Sequence, residues 1–343
     1  MSPEYFMKRA IDLALLGRGR TAPNPMVGCV IEYKGKIIGE GWHKKSGSAH
    51  AEVNAFNSVI DESVLSEANV YVTLEPCSHF GKTPPCSDLI VSKNVNKVFI
   101  GSTDCNPIVA GSGFDKISSS GIQVVTGILE QECQNINVRY NTFHLESRPF
   151  VVLKWAQSAD FYIDPRKSKN SEGQVSVSSP ESKVLTHKFR NEEDAILVGT
   201  TAANIDNPSL TNRKWAGKSP LRIVIDKTLK LSSGLELFDD THPTLVLTTK
   251  SKAKTKNTTY LKLDFNNLVI ELLDYLSSIN IQSLIVEGGA KTLQSFIDNE
   301  LWDEARIYTS EKKFKGGTLS PNIKLTSRQE YSLGDNKLSV LSS

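Results

Sequence analysis

Four residues stand out for chemistry: His50, Glu52, Cys77 and Cys86, in the segments His50-Ala-Glu52 and Glu75-Pro-Cys77-Ser-His-Phe-Gly-Lys-Thr-Pro-Pro-Cys86. An imidazole and two thiolates are ligands that zinc favours, and three protein ligands leave one tetrahedral position open for water, as catalytic zinc requires. Glu52 lies two residues beyond His50, so its carboxylate can reach that water and move its protons without binding metal. A His-x-Glu triplet alone recurs by chance; the two cysteines that follow it make it specific.

The chemistry these groups suit is hydrolytic deamination, in which water attacks an aminated ring carbon and a glutamate that is not a zinc ligand acts as acid and base. Zinc deaminases commonly carry their cysteine ligands as Cys-x-x-Cys. The spacing here is longer, with eight residues between Cys77 and Cys86. A closed structural site with His79 as fourth ligand, in a zinc-stabilised scaffold without catalysis, is the competing reading. Cys77-Ser-His79 is too tight for an ordinary structural knuckle, and a structural site has no use for the buried spare carboxylate of Glu52. His43 and His144 read as surface or packing residues, and Cys29, Cys105 and Cys133 as small buried apolar groups.

The elements that must position these groups alternate between strand and helix. Residues 3–16 have helical apolar spacing and stop at Gly17, and 27–31 with 36–39 predict a hairpin around Lys34-Gly35. Residues 49–60 predict a helix carrying His50 and Glu52, 69–74 a buried strand, and 83–93 a helix with Pro84 and Pro85 in its first turn. A strand at 97–100, a further one at 122–126 and a helix at 128–144 complete an α/β layered domain.

A second α/β series starts near Pro149. Strands are expected at 150–155, 195–198, 221–225, 244–247, 283–287 and 304–308, and helices at 180–191, 267–279 and 290–300. The domains are therefore 1–146 and 147–343, with mobile loops at 166–179 and 250–259. The strand before Glu287-Gly288-Gly289 opens directly into a helix, a turn that lets backbone approach a phosphate at a helix N-terminus. No Gly-x-Gly-x-x-Gly follows a strand, which argues against a standard Rossmann site.

The bulk numbers suit two soluble domains. The 343 residues are 39% hydrophobic and 23% charged. With 40 Lys and Arg against 38 Asp and Glu the net charge is +2, which gives no reason to expect nucleic acid. No apolar run reaches membrane-spanning length and no secretory signal is evident. Five sparse cysteines suit a reducing compartment, so a cytoplasmic protein is expected.

Thr21-Ala-Pro-Asn-Pro-Met-Val-Gly28, His50-Ala-Glu52 and the long Cys77 to Cys86 segment together resemble the bifunctional deaminase/reductase family of riboflavin biosynthesis. Asp104-Cys-Asn-Pro107 and Val109-Ala-Gly-Ser-Gly113 extend the likeness, with Cys105 where that family usually has proline. The resemblance covers nearly the whole chain. It implies a cytidine-deaminase-like three-layer α/β/α domain followed by a dihydrofolate-reductase-like α/β domain that uses NADPH. It also implies two successive steps on a phosphorylated pyrimidine, and a homodimer.

Carried over by that resemblance, Asn24, Lys82 and Thr83 would bind the deaminase substrate. Lys154, Arg190, Leu210, Arg213 and Glu287 would face the substrate of the reductase, and Thr200, Asp206, Gly288, Gly289, Ala290, Lys291 and Thr292 the cofactor. The chain departs from the family at Phe161, where glycine is usual, at Val175-Ser-Val-Ser178 including Ser176, and at Ala202. These departures leave an alternative in which the second domain binds ligand without reducing it.

Overall fold

A computed structural model of the chain describes residues 1–80, 84–106, 110–165, 179–324 and 327–343. It divides into two compact units, Met1–Ser147 and Arg148–Ser343.

The first unit is a five-stranded sheet of order β2-β1-β3-β4-β5, made of β1 (Gly28–Tyr33), β2 (Lys36–Trp42), β3 (Asn69–Leu74), β4 (Lys97–Ser102) and β5 (Gln123–Thr126). The β1–β2 hairpin turns at Lys34-Gly35, both with positive φ, as the lysine-glycine pair predicts. Side chains alternate across the sheet. Ile31, Val70, Val72, Val98 and Ile100 pack with residues of α2 (Ala51–Phe56), α3 (Cys86–Ser92) and α4 (Ser112–Ser119). Val30, Tyr71 and Phe99 pack with α1 (Pro3–Leu15) and α5 (Glu130–Ile136) in a separate cluster, so the sheet lies between two helical layers. α6 (Val138–Glu146) ends the unit.

Two boundaries differ from expectation in ways that matter to the site. The helix expected at 49–60 runs only over Ala51–Phe56, with His50 extended at its N-cap. The helix expected from 83 begins at Cys86, with Pro85 at its N-cap, because prolines lack the N–H and their ring restricts the preceding residue. Both ligand segments therefore meet the metal position at helix starts. The span 128–144 is two helices, α5 and α6, meeting at Asn137, whose side chain bonds Met26 N–H and carbonyl.

The second unit holds a nine-stranded sheet of order β11-β10-β9-β8-β12-β6-β13-β16-β15. Its strands are β6 (Phe150–Gln157), β8 (Ala195–Val198), β9 (Leu221–Ile225), β10 (Thr244–Thr248), β11 (Thr258–Lys262), β12 (Ser283–Val286), β13 (Glu304–Ser310), β15 (Ser327–Leu333) and β16 (Asn336–Ser342). Pairing is parallel from β11 to β13 and antiparallel through β16 and β15. A separate ribbon pairs β7 (Tyr162–Pro165) with β14 (Gly317–Leu319). Val151, Leu153 and Trp155 of β6 pack with α9 (Leu268–Ser278) and α10 (Ala290–Asp298). Alternation sends Lys154 to the opposite face, where α7 (Pro180–Glu192) lies against β13 through Phe189 and Arg306.

The loop expected at 250–259 ends in β11, an edge strand whose Thr-Thr-Tyr-Leu-Lys sequence hides its strand character behind polar residues. The loop expected at 166–179 lies outside the described residues apart from Ser179, which caps α7 by accepting from Ser182 N–H.

Candidate active sites

His50, Cys77 and Cys86 converge. Their ligand atoms all lie within 4.8 Å of one another, the one such group of His, Cys, Asp and Glu among the described residues. His50 Nδ1 is 3.6 Å from Cys77 Sγ and 3.2 Å from Cys86 Sγ. Zinc bond lengths and tetrahedral angles call for roughly 3.5 Å between a nitrogen and a sulfur ligand, so the three residues fit zinc. Of the two thiols one ionises first. The Cys86 side chain, followed by His50, holds the Cys77 thiol down at about 4, while Cys77 and burial push Cys86 up.

The local sequence explains the convergence. A Cβ on Gly41 of β2 would lie 2.3 Å from Ala51 O and from Ala55 N, so only glycine lets α2 sit this close to the sheet. Cys86 N–H donates to Cys77 Sγ at 3.3 Å and Ser87 N–H to Cys77 O at 3.1 Å, which ties the first cysteine to the first turn of α3. Glu75 was not anticipated. Its buried carboxylate accepts from Gly111, Gly113 and Phe114 N–H at 3.0, 2.9 and 3.3 Å and so anchors the Glu-Pro-Cys segment against α4. The signal available in sequence was an acid two residues before a ligand, too common to stand out.

Glu52 is 3% exposed, on α2 two residues past His50. Burial, then the neighbouring Cys77 sulfur, raises its carboxyl above the usual range. A raised carboxyl holds a proton more readily than a free one, the direction that acid-base work in this site calls for. Asn24 bonds His43 Nε2 at 3.2 Å, and His43 Nδ1 donates to Ala49 O at 3.2 Å. A carbonyl only accepts, so the neutral ring takes the amide hydrogen of Asn24, and burial lowers the His43 pKa in keeping. His43 is thus a buried linker between Asn24 and the turn before His50. Lys82 and Thr83 lie outside the described residues. Cys29 and Cys133 are buried as expected, but Cys105 is half-buried, with its thiol donating to Asn141 Oδ1 at 3.4 Å.

In the second unit Lys154, Arg190 and Glu287 come together from three elements. Arg190 makes a bidentate pair with Glu287 at 2.9 and 2.8 Å, and Lys154 Nζ lies 3.7 Å from Glu287 Oε2. Burial pushes the Glu287 carboxyl up, but the charges of Arg190 and Lys154 outweigh it and hold the group at about 2. Arg190 also donates to Thr211 O at 3.2 Å, fixing the segment that carries Leu210. Leu210 is buried with φ +55, a strained conformation for a branched residue. Arg213 stays outside this cluster: its guanidinium is 60% exposed, near Ser209 and Glu236. Its backbone N–H donates to His187 Nδ1 at 3.0 Å, and burial with the nearby arginines lowers His187 to about 4. Sequence reasoning missed His187, which carries no motif.

The expected cofactor residues other than Asp206 gather at the carboxyl ends of two adjacent parallel strands. β8 runs through Gly199 into α8 (Thr200–Asp206), and β12 runs through Glu287-Gly288-Gly289 into α10. Gly199 N–H donates to Gly288 O at 2.8 Å, joining the two turns, and a Cβ on Gly199 would meet Thr292 Oγ1 at 2.5 Å. The N-cap of α10 is Gly289, so no side chain caps Ala290, Lys291 and Thr292. First-turn N–H groups without a side-chain cap, beside Lys291, suit an anionic group such as a cofactor phosphate. Asp206 is the exposed last residue of α8, and Ala202 continues that helix without a break. Phe161 takes φ +65 in the turn after β6, with its ring 60% exposed. The Val175–Ser178 departure lies outside the described residues.

Comparison with known proteins covers both units. Residues 1–102 match the family described as the cytidine and deoxycytidylate deaminase zinc-binding region, and 149–319 match the RibD C-terminal domain. The riboflavin biosynthesis protein RibD of Aquifex aeolicus is 35% identical over 95% of this chain and 91% of its own length. That of Bacillus amyloliquefaciens is 36% identical over 93% and 87%. A Thermotoga maritima crystal structure, described as a diaminohydroxyphosphoribosylaminopyrimidine deaminase/5-amino-6-(5-phosphoribosylamino)uracil reductase, superposes with TM-score 0.89 at 33% identity, covering 99% of this chain and 98% of that one. Acinetobacter baumannii RibD superposes at 0.87 with 27% identity, covering 99% of each chain. Zinc-ligand geometry in one unit, a buried charge cluster beside a phosphate-type turn in the other, and relatives that span both place the chain in the RibD family of riboflavin biosynthesis, bifunctional enzymes with a zinc-dependent deaminase and an NADPH-using reductase.

Proposed function

We propose that His50, Cys77 and Cys86 hold the zinc, that Glu52 is the acid-base residue of the deaminase, and that the Lys154–Glu287–Arg190 cluster is the substrate end of the reductase. The substrate is a diaminopyrimidinone ribosylamine phosphate. The convergence of three zinc-type ligands beside one buried carboxylate carries this reading.

When bound, zinc supplies Lewis acidity that makes a water acidic near neutral pH. Glu52 takes a proton from the attacking water as its oxygen bonds the ring carbon. It passes a proton to the amine as the carbon–nitrogen bond breaks and ammonia leaves. Asn24, oriented through His43, holds the pyrimidine or sugar, with Lys82 and Thr83.

When bound, NADPH supplies hydride to the anomeric carbon of the ribosyl group. Lys154 holds a proton at Nζ for the sugar oxygen released as the ring opens to ribityl, and Glu287 keeps that ammonium in place. Arg190, Leu210 and Arg213 shape the substrate side. Thr200, Asp206 and the turn from Gly288 to Thr292 line the cofactor side.

Glu52→Gln and Lys154→Met test the assignment. Glu52→Gln should lose deamination and keep both zinc and reduction of supplied deaminated intermediate; Lys154→Met should do the reverse. Loss of zinc in Glu52→Gln, or normal reduction by Lys154→Met, would overturn it. No helix among the described residues is long and apolar enough to cross a membrane. A cytoplasmic homodimer without a nucleic-acid partner is the assembly we propose, and sedimentation of the purified protein checks the dimer.

A further inference from the structure

Among the described residues four buried side-chain atoms lack a hydrogen-bond partner, and three of them are Arg306 Nη1, Tyr308 OH and Ser310 Oγ, on alternate residues of β13. Alternation places the three on one face of the strand. Arg306 is in register with Lys154 and Tyr308 with Ala156, so this is also the face of Lys154. Tyr308 is fully buried, and the Lys154 ammonium lies over its ring, 5.7 Å from the centroid. The face of an aromatic ring is electron-rich and attracts a cation at this distance.

The ammonium needs that support. Burial pushes Lys154 toward losing its proton. Glu287 at the end of β12 opposes this, whereas Arg190 of α7 adds to it. His187 of α7 sits near Glu287, and burial with the neighbouring arginine charges keeps its pKa low. Arg306 of β13 is itself engaged by Glu304 at 2.5 Å and Glu193 at 3.6 Å. Lys154 thus has one carboxylate partner, shared with Arg190.

We propose that Tyr308 is a positioning residue of the reductase, whose ring face holds Lys154 Nζ as an ammonium at the substrate end of the site. This rests on the reading that Lys154 serves reduction in its protonated form. The hydroxyl faces Thr186 of α7 without a well-formed hydrogen bond and bonds none of Lys154, Arg190 and Glu287, so the ring alone should suffice.

The test is the pH dependence of reduction of supplied deaminated intermediate by the full chain. Tyr308→Leu should move the alkaline limb down by about 0.5–1.5 pH units, the range from a partly solvated to a desolvated cation–ring contact. Tyr308→Phe should restore the wild-type limb. A rate loss in Tyr308→Leu with an unmoved limb would mean a merely structural ring and would overturn the proposal. Should the leucine variant not fold, phenylalanine with increasing ring fluorination at 308 reads the same contact. The limb should fall stepwise as the ring face loses electron density, and a constant limb overturns the proposal. Lys154→Met separates this from the underlying reading. If it reduces normally, the role of Lys154 is wrong and the proposal falls with it; if it is inactive while Tyr308→Leu keeps its limb, only the role of Tyr308 is wrong.

Discussion

The deaminase centre draws its working residues from two short segments, each held at a helix start, whereas the reductase cluster gathers Lys154, Arg190 and Glu287 from β6, α7 and the end of β12. The first is organised around a metal, whose ligands need only be few, soft and close. The second is organised by charge balance in a buried place, where Glu287 keeps both cations in the fold and is held ionised by them. In the deaminase, chemistry and stability are separable, because Glu52 is not a ligand. On the assignment proposed above, the one carboxylate of Glu287 serves both in the reductase.

That contrast can be broken most severely at a ligand. Cys86→Ala should remove zinc, cut deamination to background and leave reduction of supplied intermediate at the wild-type rate. Metal analysis beside the two half-reaction assays checks it, and parallel loss of reduction would show that the units are not independent. Next in size is Glu287→Ala, which strands two buried cations. Breaking a buried pair by removing one partner typically costs ~3–5 kcal/mol. The second unit should melt earlier while deamination persists, read by calorimetry and by both assays.

A smaller effect follows from acid. Glu287 sits at about 2 in the fold, below the unfolded carboxyl value of about 4.3. Its contribution is therefore complete above the unfolded value and is lost as pH falls from there through the folded value. The second unit should lose stability in that window, and Glu287→Gln should flatten the loss. Trp155, Trp215 and Trp302 report on this unit, with Trp42 alone in the other. The smallest expected change is at Phe161. A left-handed φ costs a non-glycine residue about 1–2 kcal/mol, so Phe161→Gly should raise the melting temperature of the second unit slightly and leave deamination unchanged.

Much of the deaminase centre was legible in sequence, because a metal site needs few residue types at short spacing and both segments start helices. What sequence hid there was support: Glu75 acts through backbone N–H groups of a later helix, and His43 bonds a residue 19 positions away. In the reductase Arg190 and Glu287 are 97 positions apart, and no pattern of spacing announces such a pair. The likeness to a known family named those residues; periodicity did not. Strands buried on both faces, such as β8 and β12, were plain from their apolar runs. The edge strands β11 and β15 were missed because their sequences are largely polar, and β16, paired on both sides, was missed because its apolar residues are interspersed with Asn336, Lys337 and Ser339.

The central claim is that one chain carries two chemically distinct centres that act in turn on one substrate. Its most direct test is the product mass after incubation of the wild-type protein with the diaminopyrimidinone substrate, with and without NADPH. Without NADPH the product should have exchanged its ring amine for oxygen and nothing more; with NADPH it should also have gained two hydrogens. An aminated product that has gained hydrogens, or a deaminated product that stays unreduced in the presence of NADPH, would contradict the account.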